Sequence, residues 1–329
     1  MNDLLHIGLT GDVMLGRTLD SIISRRGYNY PWGDVLDLMN KTDLNLINLE
    51  TTLTHSAQEV SKRFNFKATP DKIQSLVNAN ITIANLANNH ILDFSDAGLL
   101  ETLGTLDKRG IEHVGAGKNM EDASRPVVIT RKNVRVGVLG LTDNEPDWKA
   151  NGRPGVNYVD LARNEGAEKT IYAIEKLRRE TDIIIVSIHW GPNMQSKPCR
   201  EFIQFAHAMI DHGANVIHGH SAHILQGIEC YDSNLILYDT GDFVDDYAID
   251  TDLRNDLSAF FILTLSKSGV LRLKIIPVRI FNYQVNQAID EDYNWVINRM
   301  KRLSSDFNTH VNEKAEIEIK SVIQQIQKK

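Results

Sequence analysis

Short apolar runs rich in β-branched residues punctuate the chain, and most of them end in residues able to bind a cation. Residues 4–10 are followed by Gly11-Asp12, residues 44–49 by Glu50, and residues 81–87 by Asn88-Asn89-His90. Residues 183–188 lead into His189-Trp190-Gly191, and the run from 215 leads into His218-Gly219-His220. A further run covers residues 134–141. Runs of this length bounded by turn residues read as buried strands. Between them the periodicity predicts helices over residues 72–79, 96–109, 162–179 and 200–212, with Asp96 and Asp160 as N-caps. Such alternation predicts an α/β sheet covered by helices, in which ligands sit beyond the carboxyl ends of the strands. If the strands lie parallel and adjacent, their five polar endings converge on one site.

After residue 222 the pattern changes. Residues 224–231, 235–239, 258–266 and 270–278 read as consecutive strands forming antiparallel pairs, a second sheet packed on the first. Residues 284–329 are charged and helical in period, with Asn294-Trp295-Val296 as an anchor. The expected organisation is one domain over residues 1–283 and a helical C-terminal appendage over 284–329. A net charge of −7 gives no long-range attraction to phosphate backbones, which argues against nucleic acid as partner. There is no apolar run long enough to span a bilayer, and residues 1–14 lack the pattern of a signal peptide. Cys199 and Cys230 stand far apart, so no disulfide framework is indicated. A cytoplasmic, reduced compartment is the expectation, with no membrane partner and Lys328-Lys329 as a solvated tail.

Each polar ending has an ordinary structural alternative. Gly-Asp is a common turn, Asn-Asn suits positive φ, and a lone histidine is more often a satisfied semi-buried residue than a ligand. Their repeated placement is the informative feature. Carboxylates, an Asn carbonyl and imidazoles together suit Zn, Mn or Fe better than an all-oxygen calcium site. Two bridged ions of that kind would polarise an ester oxygen and activate water, and a neighbouring histidine would protonate the leaving group. His218, just before the glycine, is expected to face the other side of its strand. His6, His55, His113, His207, His212 and His310 have no such company.

Seven strings occur in order: GDVMLGR (11–17), NLE (48–50), FKATP (66–70), NNH (88–90), IHWG (188–191), GHSAHILQ (219–226) and LYDTGDFVDDY (237–247). Together they resemble the CapA family of poly-γ-glutamate synthesis proteins, which is similar in turn to the calcineurin-like metallophosphoesterases. The resemblance implies an α/β (α+β) fold, a four-layer metallophosphoesterase-like β-sandwich flanked by helices. It implies metal ligands at Asp12, Glu50 (the bridging position), Asn89, His189, His220 and His223, and a substrate-contacting or acid histidine at His90. Arg17 and Lys67 would hold an anionic substrate group or form surface ion pairs, Asp242 would contact substrate or cation, and Asp245 or Asp246 would bind a cation or solvate a loop. Trp190 would wall the pocket or belong to the core.

The sequence also departs from that pattern. Met14 replaces an expected histidine ligand, Glu50 replaces an aspartate, and one extra residue separates His220 from His223. The implied cofactor is one or two divalent Mn, Fe or Zn ions, or none. The implied function is a metal-dependent hydrolase of a phosphoester or related anionic substrate. The alternatives are capsule-related processing of a peptide-like polymer, a metal-independent peptide epimerase using Asp12 with His220 or His223, and a non-catalytic binding protein.

Overall fold

The computed structural model of the protein describes residues 4–161, 163 and 166–319. Lys328-Lys329 lie outside the described residues. The main strands, in chain order, are β1 (Leu5–Val13), β2 (Leu44–Leu49), β3 (Ile83–Asn85), β4 (Glu112–Val114), β5 (Val127–Arg131), β6 (Val134–Thr142), β7 (Ile183–His189) and β8 (Val216–His220). They continue with β9 (Ile228–Tyr231), β10 (Asn234–Leu237), β11 (Asp242–Val244), β12 (Leu257–Ser266), β13 (Gly269–Phe281), β14 (Gln284–Gln287) and β15 (Glu316–Glu318). The main helices are α1 (Thr18–Arg26), α2 (Ile73–Asn78), α3 (Ser95–Arg109), α4 (Ala167–Leu177), α5 (Arg200–Asp211) and α6 (Asp290–Ser305).

Among the described residues these strands form two large sheets. The nine-stranded sheet runs β14-β13-β12-β1-β2-β3-β4, with β11 beside β1 and β15 on β13. The six-stranded sheet runs β9-β10-β8-β7-β6-β5. The β1-β2-β3-β4 block and the β6-β7-β8-β10 block are parallel, and antiparallel strands flank both. Parallel strands buried on both faces need continuous apolar sequence, which the Leu/Ile/Val runs supply.

Three apolar clusters define four layers. Leu5, Ile7, Leu9, Leu44 and Leu46 of one sheet pack against Val136, Val138, Ile185 and Val216 of the other. The alternate residues Ile47, Leu49 and Ala84 pack with Leu19 and Ile23 of α1, Leu76 of α2 and Leu99 and Leu103 of α3. Leu139, Ile184 and Ile217 pack with Ile174 of α4 and Met209 of α5. The period of two along each strand thus sends one set of side chains to the inter-sheet core and the other to a helical layer. The result is an α/β sandwich with helices outside.

Several local expectations are corrected. The predicted polar strand endings come from two sheets facing each other, not from neighbours in one. Strand β1 runs through Gly11-Asp12 to Val13 rather than stopping at a turn, with a register shift between Leu9 and Asp12. The strands after residue 222 do not form a sheet of their own: β9 and β10 extend one sheet, while β12 and β13 extend the other. The third helix begins at Ala167, and Asp160 accepts a bond from the Arg163 amide instead of capping it. Ala162, its expected first residue, lies outside the described residues. Asp96 lies in the first turn of α3, not at its cap. The segment after residue 283, expected to be helical, also carries β14 and β15, both paired with β13. Within it, Trp295 and Val296 pack on the inter-sheet core as an anchor.

Candidate metal centre

Strand register builds the site. Asp12 of β1 lies level with Asp242 of β11 on one side and with Asn48 of β2 on the other, and Asn48 lies level with Asn85 of β3. In the facing sheet, His189 of β7 lies level with His220 of β8. Two polar rows therefore oppose each other at the carboxyl ends of the parallel blocks. Glycines allow the backbones to pass closely there. A Cβ on Gly11 would stand 1.8 Å from Gly241 O, and one on Gly219 2.1 Å from Tyr238 O.

Asp12, Glu50, His189, His220 and Asp242 are buried, with His223 and His90 at 3% and 5% exposure. Asp12 belongs to two groups whose ligand atoms all lie within 4.8 Å of one another, Asp12-His189-His220 and Asp12-Glu50-His223. The shared carboxylate is Asp12, whereas the resemblance implied Glu50 as the bridge. In the first group, His189 Nδ1 lies 2.9 Å from His220 Nδ1, and the two lie 3.9 and 3.7 Å from Asp12 Oδ1. In the second, His223 Nδ1 lies 3.2 Å from Asp12 Oδ2 and 2.8 Å from Asp242 Oδ1. Both Ser221 and His223 have positive φ, at 115° and 60°. That backbone accommodates the extra residue between the two histidines.

The structure also contains two asparagines that the sequence reading passed over, Asn48 and Asn85, and ties Asn88 to them. Asn48 Nδ2 donates to Asp12 Oδ1 at 2.7 Å, and Asn48 Oδ1 accepts from Asn85 and Asn88 at 3.2 and 3.1 Å. A polar residue inside an apolar strand was the available signal, because buried polar groups are the informative exceptions. His218 is a correction. It shares the inter-sheet face with His220, because residues two apart in a strand point the same way, and its ring centroid lies 5.3 Å from that of His220.

His90 Nδ1 contacts Asp93 Oδ2 at 2.5 Å, and its Nε2 lies 3.7 Å from Glu50 Oε1. Asp93 accepts from the Phe66 amide at 2.7 Å and pairs with Lys62 at 3.1 Å. Phe66 packs edge-on against His90 and Tyr247 edge-on against His223, with centroids at 4.3 and 5.0 Å. Of the expected substrate contacts, Arg17 lies over Phe64 and Phe66 with Nε 3.5 Å from Asp246. Lys67 instead donates to Ser56 O at 2.9 Å and lies over Phe94. Lys62, which the sequence reading missed, is the cation beside His90. The side chain of Asp242 is buried against His223, and Trp190 lies in the outer apolar core. Asn89 Oδ1 is buried without a partner, and the Asn89 carbonyl accepts from Lys62. Met14 is buried, with its amide bonded to Val244 O at 2.7 Å.

Electrostatics separates these groups. Burial opposes the charge on Asp12, but His223, His189 and His220 outweigh it and hold the carboxyl below its ordinary range. Burial and then repulsion from Asp12 push Glu50 far above its own. Burial also lifts Asp242 to about 6. His189 is driven down to about 3 by burial, and His220 also falls well below its usual value. Burial would lower His223 too, yet Asp242 and Asp12 raise it well above normal.

The donor set fits a transition metal. Both Glu50 oxygens and Asn89 Oδ1 are buried without a hydrogen-bond partner. Orphaned buried acceptors of this density are costly unless a cation satisfies them. Separations of 2.9, 3.7 and 3.9 Å also leave a point about 2.1 Å from both Nδ1 atoms and Asp12 Oδ1, an ordinary metal–ligand bond length.

Residues 6–247 match the family described as bacterial capsule synthesis protein PGA_cap. The chain is similar to a probable polyglutamine synthesis accessory protein of Mycobacterium tuberculosis, at 32% identity over 94% of this chain and 93% of that one. It is also 30% identical to the PGA biosynthesis protein CapA of Bacillus subtilis, over 85% of this chain and 72% of that one. Similarity to the capsule biosynthesis protein CapA of Bacillus anthracis is 28%, over 85% and 68%.

Proposed function

The chain belongs to the bacterial capsule synthesis protein family, and from that premise we propose that it is a metal-dependent hydrolase acting on an anionic substrate, a phosphoester or a linkage in an acidic peptide-like polymer. The observation that carries this reading is the pair of buried ligand groups sharing Asp12, with ligand atoms left unpartnered. The relatives' names, which refer to polyglutamine, PGA and capsule synthesis, support the polymer as the context.

Asp12, His189 and His220 would hold one ion, and Asp12, Glu50 and His223 a second, with Asn89 in reserve as an oxygen donor. Bound ions supply Lewis acidity and lower the pKa of a water molecule. The chain's own residues do the remaining work. Asp93 holds the Nδ1 proton of His90, so Nε2, on the Glu50 side, is the atom that takes up a proton, and the imidazolium so formed would pass it to a leaving group. Asp242 orients His223 through its 2.8 Å contact. Phe66 and Tyr247 exclude water from these two histidines. Arg17, half-exposed above Phe66, is placed to meet an incoming anionic group.

Untagged protein prepared without chelators should contain stoichiometric Mn, Fe or Zn by elemental analysis, and His189→Ala and His220→Ala should lose it together with hydrolysis of aryl phosphates or phosphodiesters. Metal-free protein that still turns over would sink the reading. A second reading has its own observation. Asp12 Oδ2 and His223 Nδ1 stand 3.2 Å apart as a ready acid–base pair, the arrangement a metal-independent epimerase would use. Deuterium from heavy water appearing at a peptide α-carbon, with no metal present, would favour it.

A further inference from the structure

We infer that His218, acting through Ser187, sets the tautomer of His220 and so presents His220 Nδ1 as an unprotonated ligand atom facing Asp12 and His189. The inference deepens the metal-site reading and rests on it for its purpose, though the relay itself is a property of the metal-free protein.

The direction of the relay follows from its starting point. Thr10 O is a backbone carbonyl, an acceptor only, and His218 Nε2 lies 2.7 Å from it. His218 Nε2 therefore carries the hydrogen. His218 is fully buried between the sheets among Thr10 O, Ser187 and Thr240, and a cation there would have no counter-ion in contact. The ring is neutral, and its Nδ1 holds a lone pair. Ser187 Oγ lies 3.2 Å from that nitrogen and donates to it. With its proton so engaged, the hydroxyl accepts from His220 Nε2 at 3.0 Å. His220 then carries its hydrogen on Nε2 and leaves Nδ1 bare. Asn85 Nδ2 also lies 3.4 Å from His220 Nε2, but its hydrogens are directed to Asn48 Oδ1 and Ala87 O at 3.2 and 3.3 Å, so it does not compete.

The bare Nδ1 lies 2.9 Å from His189 Nδ1 and 3.7 Å from Asp12 Oδ1, the position a ligand atom requires. The other ring nitrogen of a ligating histidine is usually fixed by an outer partner, commonly a carbonyl or carboxylate. Here the carbonyl of β1 serves that function at two removes, through His218 and Ser187, across the gap between the sheets. His218 is thus a positioning residue.

The test is the tautomer of His220 in metal-free, ¹⁵N-labelled full-length protein, read by long-range ¹H–¹⁵N correlation. The expected pattern is a protonated Nε2 and an unprotonated Nδ1. Ser187→Ala should lose that fixed pattern and bind Co²⁺ or Zn²⁺ about 10- to 100-fold more weakly in competition titrations. His218→Gln can donate to Thr10 and accept from Ser187, so it should keep the affinity, whereas His218→Phe should lose it as Ser187→Ala does. A protonated Nδ1 in the wild type overturns the inference, and so does unchanged metal affinity in Ser187→Ala. If the histidine variants fail to fold, the wild-type spectrum and Ser187→Ala still decide. A wild type with the expected tautomer that binds neither Co²⁺ nor Zn²⁺ supports the relay and removes the metal-site reading.

Discussion

Asn48 Nδ2 donates a 2.7 Å hydrogen bond to Asp12 Oδ1, joining β2 to β1 beneath the carboxylate that both ligand groups share. Asn48 Oδ1 accepts from two further asparagines, so one amide holds the register of three strand ends. Hydrogen bonds to a charged partner are among the stronger ones, and this one also determines which Asp12 oxygen faces which histidine.

Asn48→Asp replaces that donor with a second carboxylate against Asp12. In the absence of metal the variant should be destabilised by about 3 kcal/mol or more, as expected when a buried charge is left uncompensated. Divalent ions should restore more stability to it than to the wild type. Paired urea titrations with and without Zn²⁺ measure both quantities. Equal metal-induced stabilisation in the two proteins would show that position 48 does not face the ion.

The raised groups set the pH dependence. Glu50 and His223 both have folded-state pKa values above their unfolded ones. Each therefore contributes stability that is complete below the unfolded value and is lost as pH rises through the folded one. His189 is depressed to about 3 and acts in the opposite sense, but only below about 6.5, where the unfolded imidazole gains its proton. Above pH 6.5 that opposition is gone. Metal-free protein should then lose stability as pH rises, while stabilisation by added Zn²⁺ grows because the ion replaces protons. Thermal melts at pH 6.5 and 8.5, with and without Zn²⁺, check this. A metal effect that shrinks towards pH 8.5 would contradict it.

Asp93→Asn weakens the partner that holds His90 Nδ1 at 2.5 Å. Turnover should fall by about 100-fold, the usual scale for a misplaced or mistuned general acid, with little change in metal content. Steady-state kinetics and elemental analysis on the same preparation separate the two effects. Loss of metal alongside activity would place Asp93 in the ligand framework instead.

Tyr238→Phe is a control away from the site. Tyr238 OH donates to Glu229 Oε2 at 2.6 Å, and Glu229 is left with His207 at 3.0 Å when that bond is removed. The expected cost is about 1–3 kcal/mol, since a buried acceptor loses one of its two partners. Denaturant titration should show that loss while metal affinity stays at the wild-type value.

The parallel blocks were legible in the sequence because a strand buried on both faces must be continuously apolar, and residues such as Leu44, Leu46 and Ile185 satisfy that. The polar residues at their ends were legible for the same reason: Asp12, Glu50, His189 and His220 interrupt that apolar character abruptly. Asn48 escaped notice because it lies inside the run that defines its strand. Lys62 and Asp93 escaped because they sit on loops, where polar residues are ordinary until folding brings them to His90.

Which strand ends carry the ligand-type groups is written in the local order of residues, since hydrophobic periodicity is a property of consecutive positions. The folded chain alone brings these groups together from two facing sheets, places Asp12 in both buried groups and turns His218 inward beside His220. Those outcomes depend on strand register and on contacts between residues as distant as Thr10 and His218. No local pattern encodes them, because they exist only once the two sheets have closed on a common core.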